Sequence, residues 1–154
     1  MAGNESGFAT PRVAAGALFA DDRGRILLVR KTYGNRWDIP GGCVDKGESP
    51  AEACGRELRE ELGIERSPRG VLVTDWAPVE AEGDKILWVF DCGALGEDEK
   101  RLRLDFEEID HWAWVAVDEV DAYAIPRLAR RLKQAHMARE HGRTLYLEHG
   151  RPTF

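Results

Sequence analysis

A chain of 154 residues, 43% of them hydrophobic, is long enough to bury a real core and short enough to form one domain. Its 28 acidic against 22 basic residues leave a formal net charge of −6, which excludes a general nucleic-acid surface built on clustered lysine and arginine. Cys43, Cys54 and Cys92 show neither C-x-x-C spacing nor a histidine partner pattern, which argues against zinc; without a signal peptide or an apolar run of about 18 residues, they point to a reducing cytoplasm and no membrane span.

Met1 to Thr10, polar and glycine-containing, reads as a flexible tail ahead of a domain covering 11–154. Arg12 to Ala20 and Arg25 to Arg30 read as strands joined by Asp21-Asp22-Arg23-Gly24, a hairpin signal. A loop through Tyr33 and Trp37 leads to the breakers Ile39-Pro40-Gly41-Gly42, and Pro50 to Leu62 reads as a helix. Gly70 to Trp76 and Lys85 to Cys92 are β-branched and aromatic strands with a turn at Glu80 to Asp84. The acidic stretch Asp105 to Asp110 precedes His111-Trp112-Ala113-Trp114-Val115. Asp118 to Gly142 reads as mostly helical, its main part opening at Pro126, with Leu128, Leu132, Ala135 and Met137 apolar and Arg127, Arg130, Arg131 and Lys133 a solvated face. Thr144 to Leu147 is either a short terminal strand or an arm onto a partner subunit, the second of which makes a homodimer. The expected architecture is α/β: a mixed sheet with one helix on each side.

The helix at Pro50 carries the chemistry. Ser49 is its N-cap, Pro50 fits the first helical position, and Glu52 completes a Ser-x-x-Glu capping box; Gly63 stops it. At about 100° per residue, Glu57, Glu60 and Glu61 share an arc of roughly 100° beside an apolar stripe of Ala51, Cys54, Leu58 and Leu62. Like charges at this spacing cost a helix about 0.2–0.5 kcal/mol per pair, so a cation belongs opposite them. Carboxylate oxygens suit Mg²⁺ or Mn²⁺. The competing reading is a solvated ladder in which Arg56 pairs with Glu52 and Glu60.

Taken whole, Gly42, Glu48, Arg56-Glu57-Leu58, Glu60-Glu61 and Gly63-Ile64 stand in one fixed register that resembles the complete Nudix box, every signature position being filled. The resemblance implies a Nudix-type α/β/α sandwich with a mixed β-sheet. It also implies a metal-dependent hydrolase of phosphoanhydride bonds, with Glu57, Glu60 and Glu61 holding Mg²⁺ or Mn²⁺, Arg56 orienting a neighbouring glutamate, and the Gly41 carbonyl as a further ligand. Glu48 either reaches a metal through water or fixes the loop. A downstream acidic residue supplies a ligand or general base in this family; Glu108 is the candidate here and Glu107 the second choice, against a plain solvated turn.

The implied substrate is a nucleoside diphosphate derivative, a nucleotide-type small molecule. Arg30, Lys31 and Arg36 are candidates for positive charge near its phosphates, with Arg30 and Arg36 taken as substrate contacts. Trp37 and Trp88 are taken as stacking surfaces for the base, with Trp76 and Tyr33 behind them. Pro78 lies close to, though not at, the place where some ADP-ribose-cleaving members carry a proline. Two other readings are sanitation of oxidised nucleoside triphosphates and a non-catalytic nucleotide-binding module. An isopentenyl diphosphate isomerase, similar in fold, needs a cysteine upstream of the box, and none precedes Cys43.

Overall fold

The structure, a computed structural model, describes residues 7–154. Its strands and helices are β1 (Arg12–Phe19), β2 (Ile26–Lys31), β3 (Trp37–Asp38), β4 (Gly41–Cys43), α1 (Pro50–Leu62), β5 (Gly70–Trp76), β6 (Lys85–Gly93), β7 (Ile109–Val115), α2 (Pro126–Glu140), β8 (Leu145–Glu148) and β9 (Arg151–Pro152). For residues 1–6 the expected tail lies outside the described residues, and 7–10 are exposed.

The alternation along β1 sets the layering. Ala15, Ala17 and Phe19 pack with Ala53, Cys54, Leu58 and Leu62 of α1, whereas Leu18 packs with Leu128, Ala129 and Leu132 of α2. In β2, Leu27 and Val29 join the α1 side and Ile26 and Leu28 the α2 side. A strand covered on both faces has no polar side to show, which is why Ala14 to Ala20 is an unbroken apolar and glycine run. The result is an α/β/α sandwich with one core on each side of the strands.

The strands form two sheets. The larger has the order β4-β1-β6-β5-β8-β9 and is mixed, with β1 parallel to β6 and β5 parallel to β8; the smaller, β3-β2-β7, is antiparallel. This corrects the hairpin expected for the first two strands. The Asp21 turn forms, its Oδ1 accepting the Arg23 and Arg25 N–H groups, but only Ala20 and Ile26 pair across it before β1 and β2 part into different sheets. β1 instead pairs along its length with β6, a partner more than sixty residues away in the register Arg12↔Lys85 to Phe19↔Gly93. The turn between β5 and β6 forms as expected, with Val79 bridging Gly83.

The stretch from Asp118 to Gly142 is mostly helical as expected: a 3₁₀ segment at Val117–Ala122 is followed by α2, the main part, which opens at Pro126, where the missing proline N–H costs nothing. Ala51 and Met137, expected in apolar stripes, are exposed; Ala53, Ala129 and Ala138 are buried instead. The chain end after α2 forms β8, parallel to β5, so this segment is a strand of the molecule's own sheet.

Arg131, expected on a solvated face, is buried and donates to Asp75 Oδ2 at 2.6 Å, while the Gly150 N–H donates to Asp75 Oδ1 at 3.1 Å. One ion pair thereby ties α2, β5 and the final turn together. Arg131→Ala leaves the Asp75 charge buried without its guanidinium, and the expected cost is about 3–5 kcal/mol in equilibrium denaturation, against well under half that for the exposed Arg143→Ala. Equal stability of the two variants would show that the pair is not needed.

Candidate metal centre and adjoining cavity

α1 begins as its sequence dictates: Ser49 Oγ accepts the Glu52 N–H at 3.1 Å, and Glu52 Oε1 accepts the Ser49 N–H at 2.8 Å. At its other end Gly63 takes a left-handed φ of 68° and donates to the Arg59 carbonyl. The carbonyls of Glu61 and Leu62 are then free to accept the N–H groups of Asp105 and Arg103. Those bonds dock the acidic loop 105–108 against the helix terminus. Asp105 shapes the loop further, its Oδ1 accepting the Glu107 N–H and its carbonyl the N–H groups of Glu108 and Ile109.

Arg56 organises the anionic surface. Its Nε and one terminal nitrogen form a fork on Glu48, at 2.7 and 2.9 Å; the same terminal nitrogen donates to the Cys43 carbonyl at 3.0 Å. The other terminal nitrogen reaches Glu57 at 2.8 Å and Glu60 at 3.0 Å. All five guanidinium hydrogens thus have acceptors, with Glu52 not among them. Glu48, held by Arg56 and by the Asp45 N–H, has its carboxyl driven down to about 2, and both its oxygens fix the loop.

With Glu57 held by Arg56, carboxylate oxygens of Glu57, Glu61 and Glu108 converge to within 4.8 Å of one another. Two glycines make the approach possible. A Cβ on Gly42 would lie 2.9 Å from the Glu57 carboxylate, and one on Gly41 only 2.2 Å from the Ala15 carbonyl oxygen. Gly41 also donates its N–H to Glu61 Oε1 at 3.1 Å, and Lys31 Nζ donates to Glu61 Oε2 at 2.9 Å. Burial pushes the Glu61 carboxyl up to about 8 in spite of Lys31, while Glu61 holds the Lys31 ammonium above its usual range although burial opposes it. Burial, then the neighbouring Glu57 and Asp105, raise Glu108. Three converging carboxylates beside a backbone carbonyl are a donor set for a hard divalent cation. Glu60, half-exposed, lies outside the cluster, and Glu107 is an exposed neighbour of Glu108 that also stays outside it.

Beside this cluster opens a cavity of about 190 Å³ whose lining includes Gly41, Gly42, Lys31, Tyr33, Asp38 and Trp88. Of the four residues taken as substrate contacts, Trp88 lines it and Arg30, Arg36 and Trp37 do not, whereas the further candidates Lys31 and Tyr33 do. Trp37 packs against the α2-side core and meets Tyr123 edge-on at 5.3 Å. Arg30 forms a fork on Asp110, at 2.9 and 2.8 Å. Arg36 borders a smaller cavity of about 70 Å³ that shares Asp38, Lys85 and Arg131 with the first. Sequence reasoning missed Asp38 and Lys85, since a lone aspartate after tryptophan and a lysine opening a strand carry no signal of a shared cavity.

The family described as NUDIX domain matches residues 10–137. The RNA pyrophosphohydrolase of Halorhodospira halophila is 33% identical, the match covering 68% of this chain and 66% of that protein, so the chain spans about two-thirds of that relative's length. Among solved structures, the MutT protein from Methanosarcina mazei Go1 is similar with a TM-score of 0.69 at 25% identity, over 88% of this chain and 97% of that one. The MutT NUDIX hydrolase from Burkholderia pseudomallei has a TM-score of 0.60 at 31% identity, over 71% and 86%.

Two measurements probe the cluster. Because native Glu61 keeps its proton to about 8 while an unfolded glutamate loses it near 4.5, the folded state binds more protons in this window. Metal-free stability should therefore fall as pH rises from about 4.5 to about 8, less so in Glu61→Gln. A divalent cation must displace that proton, so Mn²⁺ affinity by calorimetry should rise, by up to about tenfold per pH unit, and level off above about 8. Arg56→Lys, with a point charge for a five-donor fork, should weaken Mn²⁺ binding by roughly 10–100-fold. A pH-independent Mn²⁺ affinity would remove Glu61 from the ligand set.

Proposed function

Since the chain belongs to the Nudix hydrolase family, we propose that it hydrolyses a diphosphate linkage in a nucleoside diphosphate derivative, with Mg²⁺ or Mn²⁺ held by Glu57, Glu61, Glu108 and the Gly41 carbonyl. The observation that carries this reading is the convergence of those carboxylates next to Lys31, Gly41 and Gly42, which line a cavity large enough to admit part of a nucleotide. Glu60 stays in the reading as an acidic neighbour of that set, kept in place by Arg56.

The cation, when bound, neutralises phosphate charge, acidifies water and stabilises the leaving oxygen. The chain's own groups do the rest. Glu108 is exposed, carries a raised carboxyl and sits on a docked loop, which suits it to accept the proton of the attacking water. Lys31 and Lys85 bring positive charge to the cavity, and Trp88 offers an aromatic wall to the base. Arg56 acts at one remove, by fixing Glu57 and Glu48. No helix among the described residues is long and apolar enough to cross a membrane, and three free thiols fit a reducing cytoplasm.

A second substrate reading has its own observation. Arg36, Lys85 and Arg127 line the smaller cavity, and Arg127, Arg130 and Arg151 border the next cleft, a basic track leading away from the catalytic mouth. It favours a nucleotide that continues as a chain, such as the 5′ end of an RNA, the substrate in the name of the Halorhodospira halophila relative.

Turnover of a panel with Mg²⁺ decides among these: nucleoside diphosphate derivatives, nucleoside triphosphates including oxidised ones, and 5′-triphosphorylated RNA. The expected result is hydrolysis of a diphosphate derivative that drops at least about 100-fold in Glu57→Gln, and falls in kcat more than it changes in KM in Glu108→Gln, with Glu107→Gln mild. RNA as the best substrate, weakened by Arg127→Ala, would select the second reading. No turnover of any compound would leave a binding module.

A further inference from the structure

Lys31 stands where a cation is wanted. Its Nζ donates to Glu61 Oε2 at 2.9 Å and to the Gly41 carbonyl at 3.4 Å, so one ammonium holds two of the groups assigned above to the divalent ion. Both ends of the pair are shielded, with 12% of the lysine side chain exposed and 2% of the glutamate. On its other side Lys31 lines the cavity, together with Asp38. Asp38 Oδ1 accepts the N–H of the adjacent Ile39 at 2.7 Å, and the carboxylate forms no salt bridge among the described residues. Burial pushes the Asp38 carboxyl up, and Lys31 is the charge that opposes this most.

A divalent ion on Glu61 and the Gly41 carbonyl cannot share them with an ammonium, because the two cations would be adjacent in a site that water screens poorly. The lysine stem is flexible and its head needs an anion. Resting on the metal reading above, we propose that Lys31 is a resident counter-ion that the incoming divalent ion displaces from Glu61 and the Gly41 carbonyl into the cavity, where it pairs with Asp38 and an anionic group of the substrate. In the metal-free protein the Lys31 ammonium thereby gives the buried Glu61 side chain a hydrogen-bond partner and offsets its burial in part. Lys31 becomes a phosphate-binding residue only once metal has arrived, so metal and diphosphate each strengthen the binding of the other.

Acetylation of lysines, followed by peptide mass spectrometry on the intact wild-type protein, reads this directly. Lys31 is expected to react slowly in chelator and at least about threefold faster with Mg²⁺ or Mn²⁺, relative to the exposed Lys46 and Lys100. Inorganic pyrophosphate, with metal in excess over it, should slow Lys31 again. Glu61→Gln should free Lys31 without metal, and if that variant does not fold, the wild-type comparison still decides. A Lys31 rate unchanged or slowed by metal, while calorimetry shows Mn²⁺ bound, would overturn the displacement and leave the metal site standing; no Mn²⁺ binding at all would overturn both. Failure of pyrophosphate to protect would refute the phosphate partner.

Discussion

The five donors of Arg56 are the constraint on which the rest of the centre depends. One guanidinium joins the loop after β4, through Cys43 and Glu48, to the helix face, through Glu57 and Glu60. Without it, α1 would carry several carboxylates at like-charge spacing with nothing to aim them. With it, Glu48 and Glu57 have fixed directions, and Glu57 meets Glu61 and Glu108 in one place. A planar fork does this where a lysine could not, because its hydrogen bonds have preset angles.

The same centre works against stability. Glu61 is almost fully buried beside two other carboxylates, with its proton held to about 8, and Lys31 offsets the burial only in part. A core helix chosen for folding alone would place an apolar residue there. The molecule tolerates the charge because the remainder of α1 is well made: a reciprocal N-terminal cap, a left-handed glycine stop, and Leu58 and Leu62 packed against Phe19.

Close backbone approach is the third requirement. Gly16 pairs with Gly41 across β1 and β4, and any Cβ on Gly41 would collide with the β1 carbonyl. β4 can therefore lie tight against β1 and donate its Gly41 N–H to Glu61 while the Gly41 carbonyl accepts from Lys31, with Gly42 leaving room for Glu57. The glycines do for space what Arg56 does for direction.

The sequence by itself determined what is local. The helix bounds, the caps and the register of Glu57, Glu60 and Glu61 depend on neighbours a few residues away, and the structure has α1 at Pro50–Leu62 as read. Strands covered by helices were also legible, since apolar runs announce burial. What only the tertiary structure decided are pairings across long separations. The Asp21 turn is real, yet β1 leaves β2 for β6, because a turn constrains four residues whereas a full-length parallel pairing satisfies a strand. Arg131, one of several arginines on a basic helix, is buried only because Asp75 waits on β5; Arg30 turns to Asp110 and Trp37 to the core. Glu108 and Asp38 acquire their surroundings from segments dozens of residues away. Charge and hydrophobic periodicity report which side of an element faces inward, but not which distant group it meets there, and the site is made of such meetings.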